Sequence, residues 1–205
     1  MQPTAAASPS NSLLAALKQG TREEHVAIER QLRLMDPGVT LDDYRDYPSR
    51  MLGYCEPLEA ALAALDALPD EVPDFERRRK AGAAARDLCD LGAVAADVAA
   101  LPRCADLPPL GSVARGLGCL YVLEGSTLGG QIIARHLELR LGVGPQRGGS
   151  IVRSYGPDVG PMWRAFGVGL EAWAAREPDL HDAVVEAARD TFVTLGRWLA
   201  RGPDR

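Results

Sequence analysis

Residues 121–136 read YVLEGSTLGGQIIARH, a helix-forming stretch that nevertheless carries three glycines. Each glycine inside a helix costs about 0.5–1 kcal/mol relative to alanine, so Gly125, Gly129 and Gly130 all oppose the helix around them. Two purposes can explain this bare backbone. One is the approach of a flat ligand to main-chain atoms where the helix bends. The other is close packing of two helices, because Gly125 and Gly129 lie four residues apart.

The chain on either side of this stretch predicts further helices and no substantial strand. Alanine, leucine, arginine and glutamate dominate, and β-branched residues occur only in short clusters. Pro48 and Pro57 predict a kink or a break in the second helix. We expect an all-α fold, a single-domain bundle of about six helices around one core. Hydrophobic spacing and capping residues place these helices at about 12–34, 40–66, 74–91, 112–142, 162–176 and 179–200.

Charge and hydrophobicity exclude several classes of partner. The formal net charge is -5 and no dense run of lysine or arginine opposes it, so neither nucleic acid nor a membrane surface is an expected partner. No apolar run approaches the roughly 20 residues needed to cross a bilayer. The start, MQPTAAASPS, lacks the basic and apolar regions of a secretory signal. The expected location is therefore the cytoplasm.

The length of 205 residues suits one domain with a substantial core. We expect residues 1–10 to form a disordered tail, 11–200 the helical domain, and 201–205 a flexible C-terminus. The cysteines are far apart in the sequence, so they predict neither a zinc site nor a redox dithiol. They are Cys55, Cys89, Cys104 and Cys119.

His25 is the histidine with the most suggestive neighbours. It lies in LKQGTREEHVAIE, with Lys18 two turns before it and Glu29 one turn after it. A carboxylate one turn away is typical of the residue that orients a metal-binding histidine. Without an HxxE, HExxH or paired-cysteine motif, a metal cage made of protein alone is unsupported, whereas a porphyrin would supply four ligands itself. A half-exposed histidine on an ordinary helix is the alternative that this segment leaves open.

Together, LKQGTREEHVAIE and YVLEGSTLGGQIIARHL strongly resemble the heme oxygenase family, particularly the bacterial members associated with bacteriophytochromes. The final helix, EAARDTFVTLGRWL, also fits, and the resemblance runs from about Leu13 to Leu199. It implies a helical bundle that holds heme, as both cofactor and substrate, between a proximal helix and a kinked distal helix. The implied reaction converts heme to biliverdin, carbon monoxide and free iron, using dioxygen and an external electron donor. The biliverdin would supply a phytochrome.

The resemblance also implies roles for individual residues. His25 would be the proximal iron ligand and Glu29 its hydrogen-bonding neighbour. The wall over the iron would consist of Gly125, Ser126, Gly129 and Gly130. Lys18 and Arg164 would bind heme propionates, and Phe192 would line the pocket. Alternatively, Lys18 and Arg164 are solvated bases on the surface, and Phe192 is an ordinary core residue.

Ser126 departs from the family pattern, because many heme oxygenases have an aspartate at this position that organises water near the bound oxygen. A serine is shorter and uncharged, but it can donate and accept a hydrogen bond and so hold a water molecule. The departure concerns catalytic rate more than fold or heme binding. It motivates the alternative function, a non-catalytic heme carrier or sensor on the same scaffold. A third hypothesis is an interaction module that binds no heme.

Overall fold

The computed structural model describes residues 12–200, and this part of the chain is helical and contains no strand. The expected all-α fold class is confirmed. The tails predicted at 1–10 and 201–205 lie outside the described residues. In chain order, the helices are α1 (Leu13–Gly20), α2 (Arg22–Gln31), α3 (Leu41–Ala63), α4 (Leu68–Glu71), α5 (Phe75–Arg78), α6 (Ala81–Asp90), α7 (Ala95–Ala100), α8 (Val113–Leu141), α9 (Ser150–Arg153), α10 (Val159–Arg176) and α11 (His181–Ala200).

The long helix α8 lies at the centre of the packing, against α11 along much of its length and against α9 and α10 near the glycines. Gly118 allows the closest approach, since a Cβ there would lie 2.3 Å from the carbonyl oxygen of Val184 in α11. Buried Tyr54 of α3 ties itself to α11 by donating to the Thr191 carbonyl at 3.2 Å. The close packing on α11 fixes α8 within the core, and the glycine stretch is part of this helix.

The first predicted helix is in fact two helices, so the expectation of one helix to about residue 34 was wrong. α1 ends at Gly20, and α2 ends at Gln31. Between them, buried Thr21 has φ -115° and ψ 10°, and its hydroxyl donates to the carbonyl of Leu17 at 2.8 Å. Such side-chain bonds to the preceding turn compete with a regular helix. His25 therefore lies on a short helix of its own, one turn after this junction.

The third predicted helix is also divided, because α5 and α6 are separated at Arg79, whose ψ of 140° is extended. Buried Glu59 of α3 accepts hydrogen bonds from the backbone amides of Lys80 at 2.5 Å and Ala81 at 3.1 Å. A carboxylate from another helix thus supplies the N-terminal cap that starts α6. The prediction of one helix over 74–91 failed because this partner is 21 residues away in the sequence.

The prolines of α3 do not break it. The helix begins with a capping box between Thr40 and Asp43 and runs without interruption through Pro48 and Pro57 to Ala63. A proline inside a helix costs about 3 kcal/mol, so the expected break was reasonable on local grounds. Eleven residues of α3 are buried, Pro48 among them, and the burial of that face outweighs the local cost.

Candidate functional site

The helix α8 is continuous from Val113 to Leu141, but Gly125, Gly129 and Gly130 lie in different environments. A Cβ at Gly129 would meet nothing within 4 Å, and one at Gly125 would touch the ring of Trp163 at 3.8 Å. A Cβ at Gly130 would lie 2.5 Å from the carbonyl oxygen of Val152 in α9. Both explanations offered by the sequence therefore apply, but to different residues. Gly129 leaves its backbone uncovered, Gly125 leaves it partly uncovered beside Trp163, and Gly130 permits close packing.

Ser126 lies on the exposed side of α8, between these two uncovered glycines. Its hydroxyl donates to the carbonyl of Leu123 in the preceding turn at 2.8 Å. With its proton used in this way, the oxygen keeps lone pairs that can accept a hydrogen bond from water. The residue can thus hold a water molecule, but it does not offer the second oxygen or the charge of an aspartate.

His25 is held on two sides and open on a third. Its ring packs edge-on against Phe192 of α11, with centroids 5.7 Å apart and planes at 85°. Its Nδ1 atom is 3.6 Å from the carboxylate of Glu29, and the side chain is 53% exposed. Within residues 12–200, Nε2 has no hydrogen-bond partner. A proton on Nδ1, directed at Glu29, leaves a lone pair on Nε2 for a metal ion.

The residue that precedes α2, Thr21, lies beside Tyr121 of the helix that carries the glycines. Burial raises the pKa of the Tyr121 phenol and the nearby Thr21 side chain partly lowers it, so the phenol is neutral at physiological pH. His25 lies one turn after Thr21, and Gly125 lies one turn after Tyr121. His25 and Gly125, the two predicted halves of the site, therefore each lie one helical turn from the place where Thr21 and Tyr121 meet.

Trp163 of α10 is a neighbour of the site that no sequence pattern singled out. Its ring centroid is 5.8 Å from that of Tyr121 and 6.1 Å from that of Phe166. It is also the side chain nearest to the missing Cβ of Gly125. The stretch around it carries no spacing that connects it with α8, so only the folded chain reveals this aromatic wall.

The two predicted propionate-binding bases are exposed. Lys18 lies on α1 and Arg164 on α10, and neither forms a hydrogen bond or ion pair with other residues of the described part of the chain. Both cations are thus available to a carboxylate. The structure does not bring either of them into contact with His25, and their assignment stays a prediction.

Directly before Gly125, a buried carboxylate collects three donors from distant parts of the chain. Glu124 is 1% exposed and accepts hydrogen bonds from Arg78 at 2.5 Å, Lys80 at 2.9 Å and Tyr155 at 2.7 Å. Burial lowers the pKa of Lys80, and the carboxylate of Glu124 opposes this shift. The donors lie 46, 44 and 31 residues from Glu124, so no local motif predicts the cluster.

Two cavities lie outside this region. One of about 700 Å³ is at the end of α2 and includes Tyr47 and Arg50 in its lining, and one of about 500 Å³ lies beside Glu59 and Arg79. His25 lines neither of them. In residues 12–200, no group of three or more His, Cys, Asp or Glu residues is placed to hold a metal ion. An iron at His25 would therefore take its other ligands from a bound group. No helix in the same range is long and apolar enough to span a membrane.

Comparisons with known proteins agree with this architecture. A heme oxygenase from Neisseria meningitidis, solved with NO and CO bound, is 21% identical, with a TM-score of 0.76 over 95% of each chain. The heme oxygenase of Leptospira interrogans is 17% identical, with a TM-score of 0.73 over 92% of this chain and 98% of the other. At such identities these structures show the fold alone. No curated protein matches. The model of the family described as heme oxygenase matches residues 11–201, and the chain therefore belongs to the heme oxygenase family.

Proposed function

We propose that this protein is a monooxygenase that converts heme to biliverdin, carbon monoxide and free iron, using dioxygen and an external electron donor. Membership of the heme oxygenase family supports heme degradation. The observation that carries the proposal is the open Nε2 of His25 on one helix together with the backbone of Gly125 and Gly129 on another, where no neighbouring backbone packs against the glycines.

The residues present fit an iron porphyrin. A neutral imidazole is a good iron ligand, and the porphyrin completes the ligand set that the protein lacks. At Gly129 no neighbouring group lies within 4 Å of an added Cβ, so a ligand can approach the helix backbone there. The unpaired cations of Lys18 and Arg164 suit its carboxylates. When bound, heme supplies the iron that activates dioxygen and the ring that is oxidised.

The protein's own contribution is orientation and control of water. On the proximal side, the Glu29 carboxylate, 3.6 Å from Nδ1, attracts a proton on that nitrogen, and Phe192 limits rotation of the His25 ring, which would leave Nε2 to bind the iron. On the distal side, Gly125 and Gly129 leave space for dioxygen. Ser126 can hold one water there through its lone pairs. Little acid–base machinery is needed from the chain.

A hemin titration of His25→Ala tests the ligand assignment. Wild-type protein should give a sharp Soret band with the signature of a histidine-bound iron, and the variant should lose that signature and regain it when imidazole is added. His136→Ala is the matched control, because the ring of His136 is occupied with the carbonyl of Asp36 at 3.3 Å. An unchanged spectrum and unchanged turnover in His25→Ala would refute the assignment.

The alternative function, a non-catalytic heme carrier or sensor, is favoured by Ser126, which lacks the charge of the common aspartate. Incubation of the hemin complex with a reductant under air separates the two functions. An enzyme should lose the Soret band and release a pigment that chromatography identifies as biliverdin, which also gives the position of ring opening. A carrier would keep the Soret band, and an interaction module would bind no hemin at all.

We also propose that the biliverdin supplies a phytochrome and that the protein works in the cytoplasm. The first proposal rests on the resemblance of the two site motifs to the phytochrome-associated branch, and the second on the lack of a membrane-spanning helix in residues 12–200. Adding the reaction mixture to a phytochrome apoprotein tests the link, since the expected result is a photoconvertible product. A pigment that does not combine with the apoprotein would contradict the proposed link.

A further inference from the structure

The buried carboxylate of Glu124 is held by three side-chain donors. Both of its oxygens are used: Oε2 accepts from Arg78, and Oε1 accepts from both Lys80 and Tyr155. The donors come from the end of α5, from the junction before α6, and from the segment between α9 and α10. Two separate parts of the chain, residues 78–80 and Tyr155, thus converge on the residue that precedes Gly125.

Each cation of this cluster is itself held in place. Arg78 makes two bonds of 2.7 Å with Asp74 and lies over the ring of Phe166. Lys80 donates to the phenol of Tyr155 at 2.7 Å, and its Nζ atom is 4.2 Å from that ring centroid. The two cations balance the carboxylates of Asp74 and Glu124. The charges of these four groups sum to zero. Movement of one group away from the others would leave a buried charge unpaired, and this cost keeps the groups in place.

The segment that brings Tyr155 to Glu124 is strained. Ser154 has φ 47° and ψ -117°, a conformation that non-glycine residues rarely adopt. Strain of this kind persists where the surrounding contacts determine the backbone, and such positions cluster at functional sites. The Tyr155–Glu124 hydrogen bond is one of the contacts that holds this backbone in place.

The position of Glu124 around α8 shows what the network holds. At about 100° per residue, Gly125 and Gly129 form one strip of the helix surface, and Glu124 and Gly130 lie at about 120° on either side of it. Gly130 is fixed by the carbonyl of Val152. The strip itself has no side chains by which a neighbour could hold it. Glu124 on one side and Gly130 on the other therefore hold the rotation of the helix at the level of this strip, in addition to the packing of α8 on α11.

We propose that Glu124 is a positioning residue, which fixes the rotation of α8 and so determines which backbone atoms of Gly125 and Gly129 face the bound heme. This inference rests on the proposed function. Glu124 does not touch the heme in this proposal. Glu124 acts through the helix, and the positive charges of Arg78 and Lys80 hold its carboxylate in place.

Hydrogen exchange on the ligand-free protein tests the anchor without any heme. In Glu124→Gln, the amides of 121–130 should exchange about tenfold faster or more, because breaking a buried charge pair is strongly destabilising. Glu59→Gln is the matched control: Glu59 is also 1% exposed and accepts several hydrogen bonds, but it caps α6. That variant should change exchange in 81–90 and leave 121–130 near wild type. Equal effects of both variants on 121–130 would overturn the proposal.

A double variant separates positioning from the effect of an unpaired charge. Glu124→Gln with Lys80→Met removes one charge of each sign, so the charge balance is restored while the anchor stays absent. Exchange in 121–130 should remain fast. If it returns to the wild-type rate, the network only balances charge and Glu124 has no positioning role.

The heme complex provides the functional measurement. The ferric complexes of wild type and Glu124→Gln should differ by roughly 0.5 pH unit or more in the midpoint of the acid–base transition seen in the Soret region, because the distal backbone dipoles move relative to the water they contact. Glu59→Gln should keep the wild-type midpoint, as should a variant that is merely less stable. Failure of wild type to bind hemin would count against the proposed function, and the exchange experiment would still decide this inference. A wild-type midpoint in Glu124→Gln would refute it.

Discussion

Alanine substitutions at the adjacent glycines of α8 should have opposite effects on stability. At Gly129, an added Cβ meets nothing within 4 Å, so the variant gains helix propensity without a clash. The gain is about 0.5–1 kcal/mol, which for a domain of this size raises the melting temperature by roughly 1–4 °C. A glycine that can be replaced with a gain in stability is present for some purpose other than folding.

At Gly130, the same added atom lies 2.5 Å from the carbonyl oxygen of Val152, a separation that the two atoms cannot keep. Either α8 or the short helix α9 must move, and overpacking of this kind typically costs about 1–3 kcal/mol. After the gain in helix propensity of about 0.5–1 kcal/mol is subtracted, the expected loss is at most about 2.5 kcal/mol. Gly125→Ala makes only an ordinary contact with Trp163 at 3.8 Å, so its stability should resemble that of Gly129→Ala.

Urea denaturation followed by circular dichroism measures the three variants, and hemin titration measures their function. Gly129→Ala should be more stable yet bind hemin or turn it over less well, because the new methyl group occupies space at the proposed distal wall. Gly82→Ala is the control: Gly82 is an exposed glycine of α6, and a Cβ there contacts only the far end of the Arg86 side chain. It should gain stability with no change in hemin binding. If Gly129→Ala and Gly130→Ala shift stability in the same direction, the packing argument is wrong.

Two further predictions concern ionisable groups away from the site. A thiol reagent should modify Cys89 first in the native protein, because the other three cysteines are buried and burial raises the pKa of Cys119 to about 11; mass spectrometry of the labelled peptides checks this, and early labelling of Cys119 would contradict it. Thr40→Ala should destabilise the protein at neutral pH, because the hydrogen bond of the Thr40 hydroxyl helps to hold the pKa of Asp43 below its ordinary value and so stabilises the folded state when Asp43 is ionised. Since that contribution is lost as the pH falls through the folded pKa, the difference between wild type and variant in urea should shrink on acidification, and a constant difference would refute the linkage.

The helix ends that were predictable are those whose partners lie within one turn. Ser112 caps α8 by accepting from the amide of Arg115, and Gly142 ends it with φ 68°. Thr40 and Asp43 start α3 in the same local way. Residues three or four apart along a helix meet whatever the rest of the chain does. His25 and Glu29 are such a pair, which is why this part of the site could be anticipated from the sequence.

What could not be anticipated depends on partners far along the chain. The break before α6 is made by Glu59, and the network behind the glycines needs Arg78, Lys80 and Tyr155. In the sequence, Arg78 and Lys80 are two bases of one charged run, and Tyr155 is a tyrosine in a loop. Only the fold brings them to Glu124, and burial then makes each of them costly to leave unpaired.

The doublet Gly129-Gly130 shows why a motif alone does not assign function. Neighbouring residues of a helix point about 100° apart, so two adjacent glycines cannot serve the same surface. Here one faces open space and the other meets the backbone of α9. Both would be intolerant of large side chains, one because the site would be obstructed and the other because the fold would be strained. Sequence alone therefore cannot separate these reasons, and only the opposite stability changes expected for Gly129→Ala and Gly130→Ala distinguish a glycine kept for ligand access from one kept for packing.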